Sequence, residues 1–217
     1  MKILADEDIN EVAALFGNFG EVILCPGRDI KADQLIDIDV LLVRSVTPVN
    51  EQLLAGSSLK FVGSATIGTN HVDQVYLSSQ GVEFAYAPGC NAKAVVQYVI
   101  AVLCRSVRNW RDKTVGIIGC GNVGGQLLTC LQALDIDCLV YDPFLGPKQC
   151  AVLADIEDVL GADIVCIHTP LTTTGPFPTY QMIDLSVLQK MKPGATLINA
   201  GRGEVVNNAG LFKTLNA

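Results

Sequence analysis

Apolar residues in the first ninety positions recur in short runs that indicate β-strands. Each run is a few residues long and is followed by a polar or helix-like stretch, as in chains whose strands alternate with helices. The predicted strands are residues 2–5, 22–25, 40–43, 61–62 and 84–86, and the predicted helices include residues 10–19 and 51–55. This pattern predicts an α/β fold, in which helices wrap a parallel sheet.

The pattern is interrupted at residues 87–91, which read APGCN. Pro88 and Gly89 end the preceding strand, and Asn91 is placed to cap a long apolar helix over residues 92 to about 109. A second series then begins, with strands predicted at residues 114–118, 138–141, 164–167 and 196–199. We therefore expect two Rossmann-like parallel-sheet domains, residues 1–91 and 92–217, the second being incomplete and ending after its fourth strand.

Composition and charge exclude several classes of function. Half of the 217 residues are apolar and only 17% are charged, which favours a globular protein over a disordered one. The net charge is −7 and Lys and Arg occur at most in pairs, so we predict no nucleic-acid partner. The apolar stretch 94–104 is interrupted by Gln97 and is shorter than the roughly 20 residues of a membrane span, so we predict no membrane partner.

The eight cysteines do not form a disulfide or metal pattern. None are spaced as CxxC, and several lie within apolar strand or helix patterns. We expect buried, reduced thiols, no metal site and a cytoplasmic protein. The start MKIL runs directly into the acidic DED, which is unlike a signal peptide. A redox or interaction protein that uses these thiols is a weaker alternative, which a titration showing no cysteine of low pKa would exclude.

The strongest local motif is GCGNVG, directly after a predicted strand and at the start of a predicted helix. Gly119, Gly121 and Gly124 form G-x-G-x-x-G, whose missing side chains let a backbone turn and a helix N-terminus approach a pyrophosphate. The next strand ends at Asp142, 21 residues after Gly121, where a carboxylate can accept both hydroxyls of a ribose. Because a 2′-phosphate would meet a like charge there, NAD is predicted rather than NADP. A plain tight turn with a solvated Asp142 is the alternative.

The third and fourth strands of the second series should end at the same sheet edge. Thr169 follows the third strand and could contact the cofactor. His168 either positions the turn before Pro170 or acts as an acid or base on a hydroxyl group, whereas His71 is expected to begin a helix. Arg202 follows the fourth strand, and a guanidinium fits a carboxylate with two parallel hydrogen bonds.

The order of GCGNVG, YDP, HTPL and INAGRG in the second half resembles the D-isomer-specific 2-hydroxyacid dehydrogenases. The first-half stretches MKILADE, VRSVT, FVGSATIGT and APGCNA and the loop TPLTTTGP carry the resemblance over essentially the whole chain. It implies an NAD-dependent oxidation of a phosphorylated 2-hydroxy acid, with a homodimer in the full-length family. By this resemblance Ser45 and Thr66 would bind substrate and Arg202 would be catalytic. The residues implied to line NAD are Asn122, Val123, Asp142, Thr169, Ala200 and Gly201.

The residues themselves agree with these implied roles but are less specific. Ser45 and Thr66 offer hydroxyl groups beside Arg44, which suits a phosphate or a carboxylate, although ordinary turn residues would look the same. In the family a glutamate, reached after a further helix and strand, and later a histidine follow the arginine and act as a pair on the substrate hydroxyl. No histidine follows Arg202 here, and Glu204 lies only two residues after it, where we expect an acid that begins a helix. We therefore expect this polypeptide to be catalytically impaired. A non-catalytic NAD-binding protein and a dehydrogenase of another 2-hydroxy acid, such as phosphoglycerate, remain the alternatives.

Overall fold

The computed structural model describes residues 1–216, which divide into two compact units. The first is Met1–Cys90 and the second begins at Asn91, one residue before the boundary expected from the sequence. Each unit contains one parallel sheet flanked by helices. The predicted α/β class with two parallel sheets is confirmed.

The sheet of the first unit has five strands within the described residues. The strands are β1 (Lys2–Asp6), β2 (Glu21–Cys25), β3 (Val40–Val43), β4 (Phe61–Ser64) and β5 (Glu83–Tyr86). All neighbours are parallel and the order is β2-β1-β3-β4-β5. The helices are α1 (Val12–Phe16), α2 (Glu51–Leu54) and α3 (Gln74–Ser79). Central strands β1 and β3 bury side chains on both faces, which explains why they appear as apolar runs rather than as alternating patterns.

The second unit begins with a long helix and continues with a four-stranded parallel sheet. Its helices are α4 (Ala92–Ser106), α5 (Asn122–Gln132), α6 (Ile156–Leu160), α7 (Leu185–Leu188) and α8 (Asn208–Leu215). Its strands are β6 (Val115–Ile118), β7 (Cys138–Tyr141), β8 (Ile164–Ile167) and β9 (Thr196–Asn199), in the order β7-β6-β8-β9. Strands β6 and β8 are buried along their whole length. Val99, Leu103 and Leu127 pack α4 and α5 against one face of this sheet.

Several helix predictions need correction. Helix α1 is shorter than residues 10–19 because Glu11 adopts a left-handed conformation before it, with φ 56°, and Gly17 follows its end. Asn91 precedes α4, but its side chain makes no capping hydrogen bond, and the helix ends at Ser106 rather than near residue 109. His71 does not begin a helix, since α3 begins at Gln74 and is capped by the carboxylate of Asp73.

The cysteines are free thiols, but the expectation that they are buried is only partly right. Cys25, Cys138, Cys150 and Cys166 are buried and Cys120 is half-buried, whereas Cys90, Cys104 and Cys130 are exposed. Burial raises the pKa of Cys120 and of Cys138 to about 11 each, and that of Cys166 to about 12. These three thiols therefore stay protonated at neutral pH, which weighs against the thiol-based alternative.

Within residues 1–216, no helix has both the length and the apolar character that crossing a membrane would require.

Candidate functional site

A cleft of about 620 Å³ lies in the second unit at the carboxyl ends of β6 and β8. The chain passes from β6 through α5 to β7 on one side, and β8 then lies on the other side of β6. Open parallel sheets bind ligands at such a reversal of strand order. Of the predicted residues, Gly119, Gly121, Asp142 and Thr169 line the cleft, and so does His168.

Each of the three glycines after β6 is present for a different structural reason. Gly119 has φ +88°, and a Cβ atom there would lie 2.9 Å from Cγ2 of Thr169. A Cβ atom on Gly124 would lie 1.9 Å from the carbonyl oxygen of Gly119, so this glycine lets α5 pack closely on the turn. Gly121 is different, because a Cβ atom there would meet nothing within 4 Å and would project into open space.

The open space at Gly121 adjoins the N-terminus of α5. Gly121 is the N-cap residue, and Asn122 and Val123 are the first two helical residues. The first N–H groups of a helix lack partners within it and carry a partial positive charge. A pyrophosphate fits this arrangement, since bare backbone faces the cleft where a side chain would otherwise stand.

Asp142 joins the two loops that border the cleft. Its Oδ2 accepts a hydrogen bond from the backbone N–H of Cys120 at 2.8 Å, within the glycine turn. Its Oδ1 accepts one from the N–H of Phe144 at 3.0 Å. Each carboxylate oxygen keeps further acceptor capacity, so two vicinal hydroxyls of a ribose could still bind there.

His168 and Thr169 carry polar atoms that have no hydrogen-bond partner within residues 1–216. These atoms are Nδ1 and Nε2 of His168 and Oγ1 of Thr169, all of them buried. Burial lowers the pKa of His168 to about 4, so its ring is neutral at pH 7. Unpaired buried polar groups are unfavourable, and a ligand that offers a matching donor or acceptor removes that cost.

The turn after β9 places Arg202 beside the end of β8. A Cβ atom on Gly201 would lie 2.8 Å from the carbonyl oxygen of Thr169, which shows how closely the two turns approach. Asn199 shapes this turn, accepting a hydrogen bond from the N–H of Gly201 at 3.0 Å and donating one to the carbonyl oxygen of Arg202 at 2.8 Å. Ala200 is half-buried and packs against the core of the second unit. Arg202 forms no salt bridge with any residue among those described.

The first unit brings Ser45 and Thr66 to the carboxyl ends of β3 and β4. Ser45 is exposed, while Thr66 is half-buried with its hydroxyl 3.0 Å from Oγ of Ser64. Ser64 also lies 3.2 Å from Nε2 of His71. These polar groups form a connected cluster at the edge of the sheet.

Arg44 forms ion pairs with two carboxylates, which was not expected from the sequence. Its Nε donates to Oδ2 of the fully buried Asp6 at 2.9 Å, and its Nη2 contacts both Asp6 and Asp8. A buried carboxylate needs such a partner. The cation beside Ser45 is therefore neutralised by the protein itself, and its proximity to Ser45 is weak evidence for an anion site.

Sequence reasoning missed two further features of the cleft. Phe144 and Phe177 form a perpendicular ring pair, with centroids 5.5 Å apart, and both line the cleft. Thr172 and Thr179 close the loop that carries Phe177 through reciprocal hydrogen bonds. The repeated Thr and the Pro-Phe-Pro of TTTGPFPTY were the available signals, but a loop sequence does not reveal which side chains meet.

Comparison with known proteins places this geometry in a family. Residues 101–217 match the family model described as D-isomer specific 2-hydroxyacid dehydrogenase, NAD binding domain. Among curated proteins, the erythronate-4-phosphate dehydrogenase of Teredinibacter turnerae is 51% identical over 211 residues, covering 97% of this chain and 57% of that protein. The protein of the same name from Cellvibrio japonicus is 49% identical, covering 99% of this chain and 57% of its own length. The chain thus spans less than two thirds of these relatives.

Solved structures agree on the fold. A 3-phosphoglycerate dehydrogenase of Entamoeba histolytica with NAD⁺ bound superimposes with a TM-score of 0.85 at 23% identity, over 100% of this chain and 76% of that one. A D-lactate dehydrogenase of Aquifex aeolicus, in complex with NAD and lactic acid, gives 0.87 at 19% identity, over 100% and 73%. The family match covers more than half of the chain and contains the glycine turn, Asp142 and Arg202. The chain therefore belongs to the D-isomer specific 2-hydroxyacid dehydrogenases, and its second unit carries the NAD-binding domain of that family.

Proposed function

We propose that this protein is an NAD-dependent dehydrogenase that oxidises the C2 hydroxyl of erythronate-4-phosphate, a step of pyridoxal phosphate biosynthesis. The observation that carries the proposal is the identity of 46–51% with three erythronate-4-phosphate dehydrogenases over 97–100% of this chain. That identity extends through both units, whereas the solved 3-phosphoglycerate and D-lactate dehydrogenases named above are 23% and 19% identical to this chain.

Residues of the second unit would hold NAD, which accepts a hydride from C2 as the hydroxyl becomes a carbonyl. Gly121 and the first N–H groups of α5 suit the pyrophosphate, because bare backbone faces the cleft there. Asp142 would accept the adenosine ribose hydroxyls, and its charge would disfavour a 2′-phosphate. Thr169 has a buried hydroxyl without a partner in residues 1–216, which a cofactor group could satisfy.

Arg202 would hold the substrate carboxylate. It is half-buried and forms no salt bridge within the described residues. Its Nη1 donates to the carbonyl oxygen of Gly201 at 3.4 Å, and its Nε and Nη2 would donate to a ligand. Its planar fork can grip both carboxylate oxygens, and the neighbouring Gly201 and Gly203 add no side-chain bulk. Such a grip fixes the orientation of C2, which is how positioning lowers a barrier.

Ser45 and Thr66 are the residues of the first unit that would bind substrate. The hydroxyl of Thr66 belongs to the cluster with Ser64 and His71, so it is held in place before a ligand arrives. Ser45 is exposed at the end of β3. Arg44 has no such role in this proposal, since Asp6 and Asp8 already bind it.

His168 is not assigned as the base that removes the hydroxyl proton. Its pKa of about 4 makes it a poor proton acceptor, because a general base works best with a pKa near the working pH. Its buried ring, unpartnered within the described residues, suits a neutral contact in the cleft better than proton transfer.

The test measures NADH formation by the purified 217-residue chain and by a chimera that continues into the C-terminal region of the Teredinibacter turnerae relative. Erythronate-4-phosphate, 3-phosphoglycerate and D-lactate are compared as substrates. We expect the chimera to prefer erythronate-4-phosphate, with activity lost in its Arg202→Lys variant and kept in His168→Asn. If 3-phosphoglycerate is oxidised faster than erythronate-4-phosphate, the proposed substrate is wrong. Binding of NAD by both proteins without turnover of any substrate would favour a non-catalytic NAD-binding protein.

A further inference from the structure

The turn that carries Ser45 is bonded to the rest of the first unit at both of its ends. It spans residues 44–47, directly after β3, and the N–H of Thr47 donates to the carbonyl oxygen of Arg44 at 3.3 Å. Ser45 and Val46 are the two central residues of this turn. Ser45 is exposed, and its hydroxyl has no hydrogen-bond partner among residues 1–216. The hydroxyl is therefore available to a ligand.

A buried carboxylate fixes the first end of the turn. Arg44 donates from Nε to Oδ2 of Asp6 at 2.9 Å and from Nη2 to Oδ1 at 3.3 Å. Asp6 is fully buried at the end of β1, the strand next to β3, and it also accepts the N–H of Asp8 at 3.0 Å. Two parallel hydrogen bonds between a guanidinium and a carboxylate restrict the orientation of both groups. Arg44 is held there, because its departure would leave a buried charge unpaired.

A buried hydroxyl fixes the other end of the turn. Thr47 is 1% exposed, and its Oγ1 donates to the carbonyl oxygen of Gly27 at 2.7 Å. Gly27 belongs to the loop after β2. A Cβ atom on Gly27 would lie 3.0 Å from Cγ2 of Val46 and 2.8 Å from Cγ of Asp6. The loop after β2, the turn and the buried carboxylate are therefore packed against one another.

The groups that fix the turn are unsuited to bind an anionic substrate themselves. Asp6 and Asp8 neutralise the guanidinium of Arg44, and the hydroxyl of Thr47 is buried and already donates to Gly27. Their bonds instead determine where residue 45 lies. A hydrogen-bond donor that is held in place before binding loses less conformational entropy when the ligand arrives, so it contributes more to affinity than the same donor on a loose loop.

We propose that Asp6, Arg44 and Thr47 are positioning residues, which hold the turn 44–47 so that the hydroxyl of Ser45 is placed to bind the substrate. None of the three contacts the substrate, and each acts through Ser45. This inference rests on the proposed function, in which Ser45 binds the hydroxy acid, and adds the groups that fix Ser45.

Amide hydrogen exchange of the 217-residue chain tests whether these bonds hold the turn. Thr47→Val removes the hydroxyl at nearly constant volume, so a peptide covering residues 44–48 should exchange at least about fivefold faster. Thr47→Ser keeps a hydroxyl and should exchange within about twofold of the unmodified protein. The control is Ser58→Ala, which removes hydrogen bonds to the carbonyl oxygens of Ile36 and Ile38 at the opposite edge of the sheet and should leave this peptide unchanged.

Steady-state kinetics of the chimera test whether the turn acts through Ser45. Ser45→Ala should raise KM for the acid that the chimera oxidises fastest by about 10- to 150-fold, the range for a hydrogen bond to a charged group, with little change in kcat. Thr47→Val should raise KM at least about fivefold, again with little change in kcat. In the double variant KM should stay within about twofold of that of Ser45→Ala, because a positioning residue has no further effect once the hydroxyl is gone.

Asp6→Asn and Asp8→Asn separate positioning from charge. Each removes one negative charge beside Arg44, but Asp6 is fully buried whereas the side chain of Asp8 is 67% exposed. Asp6→Asn should raise KM at least about fivefold and Asp8→Asn should keep it within about twofold. A melt of each variant reports its folding, and the Thr47 variants decide the question if Asp6→Asn unfolds.

Three results would overturn the inference. They are unchanged exchange of residues 44–48 in Thr47→Val, additive effects on KM in the double variant, and equal changes in KM for Asp6→Asn and Asp8→Asn. The proposed function is judged separately by the turnover assay. Oxidation of 3-phosphoglycerate in place of erythronate-4-phosphate, with the same non-additive KM, would uphold the positioning and refute the substrate. Absence of turnover with every acid would refute both, because Ser45 would then have no substrate to bind.

Discussion

Replacing Asp142 should separate its two roles, one within the protein and one toward the cofactor. The carboxylate accepts the N–H of Cys120 in the glycine turn and the N–H of Phe144 in the following loop, at 2.8 and 3.0 Å. Asp142→Ala removes both bonds and the acceptor proposed for the ribose. Asp142→Asn keeps one oxygen but turns an NH₂ group toward one of the two backbone donors.

The size of the effect follows from these contacts. A hydrogen bond to a charged group contributes about 1.5–3 kcal/mol, so losing the ribose contact alone should weaken NAD by about 10- to 150-fold. The variant also leaves the N–H groups of Cys120 and Phe144 without this acceptor, which lowers the stability of the protein. The loss is moderate because Asp142 is only half-buried. We expect Asp142→Ala to lower the melting temperature by a few degrees, since about 1 kcal/mol corresponds to roughly 2–4 °C in a chain of 217 residues.

NADPH distinguishes the two roles. A loosened glycine turn should weaken NADH and NADPH by the same factor, whereas loss of the carboxylate also removes its repulsion of the 2′-phosphate. Titration of both nucleotides should therefore show a strong NADH preference in the unmodified protein and a much smaller one in Asp142→Ala. Equal affinity of the unmodified protein for both nucleotides would refute the reasoning, as would an unchanged preference in the variant.

Three further predictions concern single residues of the second unit. Gly121→Ala should keep the melting temperature and lower the affinity for NAD, because its Cβ atom would project into open space in the cleft. Gly124→Ala should unfold at a lower temperature, because its Cβ atom would overlap the carbonyl oxygen of Gly119. Equal melting temperatures of the two variants would contradict this. Arg202→Lys in the chimera should lower kcat/KM by at least about 100-fold and change NAD affinity little, and near-normal turnover would leave Arg202 with a structural role. His168 stays neutral when folded but binds a proton below about pH 6.5 when unfolded, so the free energy of unfolding should fall as pH drops from about 6.5 to about 4. Denaturant titrations across that pH range should show a smaller fall in the free energy of unfolding for His168→Leu than for the unmodified protein. The same fall in both proteins would contradict a lowered pKa of His168.

The strands were predictable because their burial is a property of the sequence itself. Residues 40–43, 138–141, 164–167 and 196–199 were predicted with the bounds that the structure has. Strands covered on both faces, such as β3 and β8, must be apolar at nearly every position, so a short apolar run between polar stretches is typical of a buried strand. The glycine turn was predictable for a similar reason, because a backbone with φ +88° at Gly119 and no room at Gly124 tolerates little else.

Pairings between distant side chains were not predictable in the same way. Arg44 was expected to help bind an anion, but its guanidinium forms ion pairs with Asp6 and Asp8. These two carboxylates lie 38 and 36 positions before it along the chain. Helix ends were also misjudged, because local backbone choices such as the left-handed Glu11 leave little trace in the pattern of apolar residues. Sequence periodicity reports which face is buried, whereas contacts between polar groups depend on the register of neighbouring strands.

The cleft combines groups that are already paired with groups that still lack a partner, and this difference suggests how the cofactor gains its binding energy. Asp142 and the paired Thr172 and Thr179 accept hydrogen bonds from backbone N–H groups, so they fix the shape of the cleft before any ligand binds. Thr169 and His168 instead carry buried polar atoms without partners in residues 1–216. Each such group costs about 1–3 kcal/mol, which a ligand recovers by supplying the missing hydrogen bond. A rigid frame with a few unpaired groups inside favours one bound arrangement over others, because misplaced ligands leave those groups unpaired.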